Sequence, residues 1–572
     1  MFDSLSVRVG LLSLAVLGLI LIRRKLYPKP YPGIPYNEAS ARRITGDVPD
    51  LAPVIKESGE FSNALFEVTT RKLGVPIAQL LFPGVRKPLI ILDDPREIED
   101  LVVRRDKEFD KAPMAIDIFG PMFSRASNAQ YTTPELKAQK RLWADVMTAD
   151  FLRRVAAPNI HKSTLDLIEL WRLRAQSPTK DGLVNVHEDF KDATLDAIWL
   201  AFFGEAAGTT RFEIQKLQRQ LEGSGTTPSA EEHAPVGAFL REQVAYITDT
   251  IAKNSRTPSP KLFQKLETYT PRYRRFRASV EGEMARCMKK AVERYQSKTV
   301  GDLETDAADT CAMDLVLRRQ ILQAKKAGVP PSDPTKDLNM LDELFVMLVG
   351  GHDSTANTLT WFARYMERHP TVQTTLRQHL RAAFPGPDLP SVAAILDANI
   401  PYLDGACEEA SRLAGTAKAN LRQALHDTTI LGCPIPKGAE IFLNLHIDRA
   451  PAPWDEEKRS ESSRAVAEKH GDGFKGAPGR DLGAFMPERW IVTDEKTGKE
   501  KFDPYALPSL AFGGGFRGCF GRRLAEMELR IMIVLLILSV EFLPLPEEYR
   551  SLAAIEKVFR EPKYPYARLR IL

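Results

Sequence analysis

The sequence predicts a mainly α protein with a small β subdomain, and three observations carry that expectation. Long stretches that mix charged and apolar residues, such as Phe151 to Arg174, are punctuated by Pro and Gly as in a chain of many helices. About thirty residues from Leu338 to Arg368 contain no proline and read as one helix roughly 45 Å long. Strand-like runs are few and short: Pro88 to Asp93, Thr428 to Leu431, Glu440 to Leu443 and Ala567 to Ile571.

At the N-terminus, Val9 to Ile22 is an unbroken apolar or small run, and extending it to Leu5 adds Ser6, Val7 and Arg8. Eighteen helical residues span about 27 Å, close to the ~30 Å hydrocarbon core, so residues 1–25 read as a single membrane anchor with Arg8 snorkelling. Arg23-Arg24-Lys25 follow the run, which keeps that end and the body of the protein in the cytosol by the positive-inside tendency. A cleaved signal peptide is the weaker reading, because the charge lies after the apolar run rather than before it. Residues 26–36 hold Tyr27-Pro28-Lys29-Pro30-Tyr31-Pro32-Gly33-Ile34-Pro35, too rich in proline for helix or sheet, and read as a stiff hinge.

The middle of the long helix breaks the usual preferences. Gly350-Gly351-His352-Asp353-Ser354-Thr355 puts paired glycines and small hydroxyls where a buried helix favours Ala or Leu. A hydroxyl can bond back to the carbonyl one turn earlier and glycines thin the helix, so a local opening or groove is expected there. Glu409 and Arg412, at i and i+3, share one helix face, and Arg489 lies further on in Phe485-Met486-Pro487-Glu488-Arg489-Trp490, able to clamp a carboxylate. The stretch from Asp455 to Asp481 is rich in Lys, Glu, Ser and Gly, lacks an apolar face, and reads as a mobile surface insertion without chemistry.

A formal charge of +4, with no basic tract interleaved with aromatics, gives no support for nucleic-acid binding. The five cysteines, Cys287, Cys311, Cys407, Cys433 and Cys519, are odd in number and form no CxxC pair, which argues against a disulfide scaffold or zinc site. One of them stands in a glycine-rich frame, Phe512-Gly513-Gly514-Gly515-Phe516-Arg517-Gly518-Cys519-Phe520-Gly521. Glycines let backbone fold tightly against a flat ligand, and the helical run from Arg522 to Leu529 would bring its positive end behind the sulfur. Cys519 reads as a haem-iron ligand, with a buried structural cysteine in a Gly-rich turn as the alternative.

Phe512, Gly515, Arg517, Cys519 and Gly521 carry the Phe-x-x-Gly-x-Arg-x-Cys-x-Gly signature, and on it the chain resembles the cytochrome P-450 superfamily of haem-thiolate monooxygenases. Further matches occur in order. Gly350 to Thr355 is similar to the Ala/Gly-Gly-x-Asp/Glu-Thr motif, with Asp353 in the acid position and Ser354 in the alcohol position usually held by threonine. Glu409 and Arg412 match Glu-x-x-Arg, and Phe485 to Arg489 matches Phe-x-Pro-Glu-Arg. The resemblance covers nearly the whole chain, so it implies the cytochrome P-450 fold, with haem between the long central helix and the Cys-ligand loop and helix. It also implies one catalytic domain over residues 37–572 in place of the several that length alone would allow.

The resemblance further implies a cofactor, haem b (iron protoporphyrin IX), with Cys519 on the metal and Phe512 in the binding loop. Arg517 and Arg422 are implied as propionate partners. A third normally comes from Trp-x-x-x-Arg, where this chain has Leu136 and Lys140, so that Lys140 offers a point charge and the usual tryptophan is replaced by leucine. Asp353 and Ser354 would relay protons for O–O cleavage; Thr355 is the rival alcohol but points about 100° further round the helix, and His352 reads as a groove or packing residue. Glu409, Arg412 and Arg489 would fix the loop before the cysteine.

The implied activity is insertion of one oxygen atom into a lipophilic substrate as hydroxyl or epoxide, with NADPH electrons arriving through a separate membrane-bound flavoprotein reductase, since no flavin or GxGxxG motif is present. Arg522 and Arg523 are candidates for its docking face. The site of action would be the endoplasmic reticulum membrane. The style of the helix motif and of Ser462-Ser463-Arg464 is similar to fungal biosynthetic members. A haem-thiolate isomerase or dehydratase working without reductase, and a non-catalytic haem-binding protein, are the alternative readings. Pocket walls are expected from Asp110 to Thr133 and Phe202 to Phe212.

Overall fold

Eight helices position the site: α1 (Pro95–Glu99), α2 (Pro134–Leu142), α3 (Ala157–Gln176), α4 (Val186–Phe203), α5 (Leu338–Arg368), α6 (Pro401–Ala414), α7 (Glu461–His470) and α8 (Arg522–Ser539). Eight strands accompany them: β1 (Ile77–Leu80), β2 (Leu89–Leu92), β3 (Phe109–Lys111), β4 (Val184–Asn185), β5 (Ala419–Ala424), β6 (Glu440–Asn444), β7 (Val540–Leu543) and β8 (Tyr566–Ile571). The structure, a computed structural model, describes residues 12–13, 17–18, 25–84, 86–176, 182–222, 234–296, 309–330, 333–471 and 481–572. Most of the expected anchor, 1–25, lies outside the described residues. Among the described residues no helix is long and apolar enough to cross a membrane.

The long helix α5 begins where Asp337 accepts hydrogen bonds from the backbone N–H groups of Asn339 (3.0 Å) and Met340 (3.2 Å), and it stops at His369, ahead of Pro370. It runs unbroken through Gly350 to Thr355. The expected opening is thus a matter of thin side chains and not of a broken helix: Ser354 Oγ donates to Gly350 O at 2.5 Å and Thr355 Oγ1 to Gly351 O at 3.0 Å, while a Cβ on Gly350 would meet nothing within 4 Å. Below the glycines α5 rests on α4. A Cβ on Gly351 would stand 1.9 Å from Ile198 Cδ1, and Thr194 Oγ1 donates to His352 O at 3.0 Å. Trp361 and Phe362 on the same helix are fully buried in the main core with Trp171, Trp199 and Phe190, each contributing on the order of 1.5–3 kcal/mol.

The strands form a five-stranded sheet, β1-β2-β6-β5-β3, and a three-stranded sheet, β7-β8-β4. In the larger one β2 pairs in parallel with β6 (Leu89 opposite Glu440 through Leu92 opposite Leu443) and the other pairings are antiparallel. Leu89-Ile90-Ile91-Leu92 is apolar throughout because both faces are covered. Ile90 and Leu92 enter a core with Ile77, Ile441 and Leu443, while Leu89 and Ile91 enter another with Leu80, Leu421 and Phe442. The proline-rich segment lies against the sheet edge, where Gln79 Oε1 accepts from Tyr31 N at 2.8 Å and Gln79 Nε2 donates to Ile34 O at 2.8 Å.

The polar stretch from Asp455 onward differs from the mobile insertion that the sequence suggests. Glu461–His470 is a helix, α7, started by Ser460, whose Oγ accepts from Ser463 N at 3.3 Å. Polar contacts hold it in place of an apolar stripe: Arg459 forks onto Asp94 (2.9 and 2.8 Å), and Ser460 and Ser462 donate to Asp100. Residues 472–480 lie outside the described residues.

Candidate functional site

The cysteine loop is shaped by two left-handed glycines, Gly513 (φ 63°) and Gly515 (φ 61°). Phe512 closes it, its carbonyl accepting from Cys519 N at 2.8 Å and its ring lying under Arg522 at 5.7 Å. Helix α8 starts at Arg522, two residues past Phe520. Cys519 reaches solvent, yet the loop crowded round it desolvates the thiol and pushes its pKa up. The Gly521 N–H, Arg522 and Lys140 pull the other way without prevailing. The helix start expected from the sequence is present, but it does not by itself make a thiolate; a coordinated metal does.

Beside this loop the cations Lys111, Lys140, Arg422 and Arg517 lie together, and Asp110 is ion-paired with Arg517. Arg517 binds Asp110 Oδ1 (Nε at 3.1 Å, Nη2 at 3.0 Å), Thr132 Oγ1 (2.9 Å) and Gln130 O (2.9 Å). Arg422, 4% exposed on β5, gives Nη1 to Asn420 Oδ1 at 2.9 Å, while its Nη2 is buried with no partner. Antiparallel register sets Lys111 of β3 directly across from Arg422, a juxtaposition of like charges that costs stability. Burial, with Arg517 and Arg422 adding repulsion, brings the Lys111 ammonium down to about 7, and burial brings Arg422 down to about 10. Lys140 on α2 donates from Nζ to Phe516 O at 2.7 Å and lies 4.4 Å from the Phe516 ring centre. Asp110 is held below its usual range because the Thr132 hydrogen bonds and Arg517 outweigh its desolvation.

A dianionic guest beside Cys519, such as the two propionates of a haem, answers this imbalance. It would pair the orphaned Arg422 Nη2 and recharge Lys111. The residues therefore fit the group. Sequence reasoning missed Lys111, because only the β3–β5 register reveals that it faces Arg422.

On α5, Asp353 is 7% exposed and its Oδ1 lies 3.5 Å from Lys191 Nζ of α4. Asn357 Nδ2 donates to Asp353 O at 2.8 Å and to Oδ1 at 3.5 Å. A narrow cleft of about 30 Å³ runs to this pair between Asp249, Lys557 and Glu561, room enough for water and not for a substrate. Ser354 lies on the more open side of the helix, one turn from Thr358, whose hydroxyl pairs with that of Thr416 at 3.0 Å. His352 is buried, neutral through desolvation, with Nδ1 at 2.8 Å from Leu348 O. Glu528 of α8 carries no signal in the sequence: burial raises its carboxyl to about 8, Thr355 hydrogen-bonds to it, and its Oε1 is buried without a partner.

Glu409, wholly buried on α6, gathers three side chains and the Met486 N–H (3.1 Å to Oε1) from two segments. Arg412 forks onto it (Nε–Oε2 2.8 Å, Nη2–Oε1 2.6 Å), Arg489 Nε reaches Oε1 at 2.9 Å, and Trp490 Nε1 reaches Oε2 at 2.9 Å. The fork belongs to Arg412, and Trp490 completes the set. Arg412 also donates to Leu482 O at 2.8 Å, and next door Glu408 accepts from Ser509 Oγ at 2.8 Å, where the cysteine loop sets out. Of the expected pocket walls, Phe123 packs 5.5 Å from Phe345 of α5 and Phe203 lies 4.4 Å from Trp199, and Phe123, Phe202 and Phe203 all belong to the main core. Arg522 and Arg523 are exposed, Arg522 paired with Glu526 at 2.7 Å.

The family model described as Cytochrome P450 matches residues 76–456 and 483–566. The chain is 30% identical to "Cytochrome P450 monooxygenase TRI13" of Fusarium sporotrichioides, over 98% of each chain, and 29% identical to "Cytochrome P450 monooxygenase GME11363" of Pestalotiopsis microspora, over 99% of each. Among solved structures, that of a cytochrome P450 (CYP102L1) superposes with a TM-score of 0.64 at 18% identity, covering 95% of this chain and all of that one.

Proposed function

Because the chain belongs to the cytochrome P450 family and is a monooxygenase, an oxidoreductase with the family's fold and its haem, we propose that it inserts one atom of dioxygen into a lipophilic organic substrate. The product is a hydroxyl or an epoxide, the second oxygen atom leaves as water, and electrons come from NADPH through a separate membrane-bound flavoprotein reductase. The observation that carries the reading is the cluster of Lys111, Lys140, Arg422 and Arg517 beside Cys519, in which only Arg517 is ion-paired with Asp110.

When bound, haem with a thiolate ligand supplies the electron push that favours O–O cleavage. The chain's own residues do the rest. Cys519 is the metal ligand, held by Phe512 O and screened by Arg522. Arg517, Arg422 and Lys111 would hold the propionates, and Lys140 ties α2 to the loop carbonyl of Phe516. Asp353, paired with Lys191 at the end of a water-sized cleft, takes a proton from solvent and passes it to water held by the Ser354 hydroxyl. Glu409, Arg412 and Arg489, with Trp490, keep the segment ahead of the loop in register.

The relatives' fungal sources favour a role in secondary metabolism. The apolar run at 5–22, followed by Arg23-Arg24-Lys25, favours anchorage of residues 1–25 in the endoplasmic reticulum membrane with residues 37–572 in the cytosol. Reconstitution of the full chain with a flavoprotein reductase and NADPH, presented with lipophilic metabolites, tests the activity. Oxygenated product that requires both partners supports it. Product formed from peroxide-bearing substrates alone, without reductase, would replace it with an isomerase.

A further inference from the structure

Residues 457–482, which fall between the two blocks matched by the family model, begin with three side chains that dive into a buried acidic cluster. Asp94 and Asp100 are both fully buried and Glu97 is 1% exposed. Arg459 takes Asp94 bidentately (2.9 and 2.8 Å), and the hydroxyls of Ser460 (2.6 Å) and Ser462 (2.9 Å) both donate to Asp100 Oδ2. Asp100 Oδ1 is taken by Arg104, and Arg105 lies 3.5 Å from Glu97. Buried carboxylates are tolerated only when paired, so the insertion and the acids depend on one another.

Asp100 opens a π-helical turn, Asp100–Arg104, whose far side is the bed of the cysteine loop. A Cβ on Gly514 would stand 2.6 Å from Val103 Cγ2 and 2.9 Å from Val102 Cγ2, and one on Gly515 would stand 2.3 Å from Val102 O and 2.9 Å from Asp106 Cβ. Phe516 N donates to Asp106 Oδ2 at 3.3 Å, and Glu99, next to Asp100, accepts a hydrogen bond from the backbone of Ser509 where the loop departs. Contact is therefore continuous from α7 through Asp100 and the π-turn to the backbone that carries Cys519.

We propose that Asp100 is a positioning residue for the thiolate ligand, and that Ser460 and Ser462 of the insertion lock it, so that this chain carries its own brace behind the cysteine loop. The inference rests on the haem-thiolate reading. Loss of the two hydroxyls leaves Asp100 Oδ2 short of donors in a closed site; the π-turn shifts, and the loop loses the surface that fixes where its sulfur lies.

The test compares full-length holoenzyme with the double variants S460A/S462A and S460T/S462T. Hydrogen exchange of the Gly513–Cys519 amides should quicken at least tenfold in the alanine pair and return to the parental rate in the threonine pair, which keeps both hydroxyls. The reduced carbonyl complex of the alanine pair should show at least a twofold larger share lacking the thiolate-type absorption. Unchanged exchange and unchanged spectrum in S460A/S462A, with the parent showing the thiolate absorption, overturn the brace alone. A haem-loaded parent without that absorption overturns the haem-thiolate reading and the brace with it. If the alanine pair yields no folded holoenzyme, single S462A and S460A variants are read in the same way, and parental exchange in both overturns the proposal.

Discussion

Trp490 and Glu409 meet edge to oxygen: the indole N–H donates to Oε2 at 2.9 Å, and both residues are fully buried. With Arg412 and Arg489 on the same carboxylate, this makes one closed knot between α6 and the segment that leads to the cysteine loop. Glu409→Ala leaves two guanidinium groups buried without their anion, and breaking such a set costs about 3–5 kcal/mol. Urea unfolding of the apo chain should show that loss, and Trp490→Phe should cost only about 1 kcal/mol. Equal losses in the two variants would count against a knot centred on the carboxylate.

Lys111 gives a proton signature for cofactor binding. Its folded ammonium titrates near 7 against an ordinary 10.5, so at pH 8 it is largely neutral until an anion arrives. Pairing with a propionate restores the charge. Hemin binding at pH 8 should therefore take up close to one proton, measurable by calorimetry in two buffers of different ionisation heat, and affinity should weaken as pH rises above 7. Lys111→Met should abolish the uptake and loosen hemin by about tenfold, or 1.4 kcal/mol. Uptake that persists in the variant would assign the proton elsewhere.

Ser354 and Asp353 separate under mutation. With Ser354→Ala, NADPH consumption should continue while peroxide released per product rises at least twofold. With Asp353→Asn, turnover itself should fall by about 10². Unchanged coupling in the serine variant removes it from the relay.

Glu528 predicts a pH slope of stability. Its folded carboxyl titrates at about 8, above its ordinary 4.5, so between these values the folded chain keeps a proton that the unfolded chain has released. Stability from this group is thus complete below about pH 4.5 and declines as pH rises to 8, by at most about 1.4 kcal/mol per unit. Glu528→Gln should erase that decline. The gap between variant and parent in the denaturation midpoint should widen from pH 5 to pH 8, and parallel curves would rule the assignment out.

Much of the molecule is legible in the order of residues because the signals are local. Leu338 to Arg368 shows its ends through Asp337 and Pro370, and the short apolar runs form β2, β6 and β8. Cys519 announces itself through four neighbours in a frame of ten positions. What escapes depends on partners distant in sequence. Lys111 matters because it faces Arg422 across two strands, Glu528 because α8 passes beneath Thr355, and Trp490 because it reaches α6. The insertion differs from its sequence reading for a related reason: periodicity registers apolar burial, whereas Arg459, Ser460 and Ser462 are held by hydrogen bonds to the buried Asp94 and Asp100.

The four clustered cations also bear on how this protein is made. Two of them, Lys111 and Arg422, sit on adjacent strands and repel, and Arg422 also leaves one guanidinium nitrogen without a mate, so an acidic porphyrin would relieve a cost that the newly folded polypeptide otherwise carries. A production host grown with a porphyrin precursor in the medium should yield several times more intact polypeptide than one grown without, the deficit appearing as degradation fragments cut around Lys111.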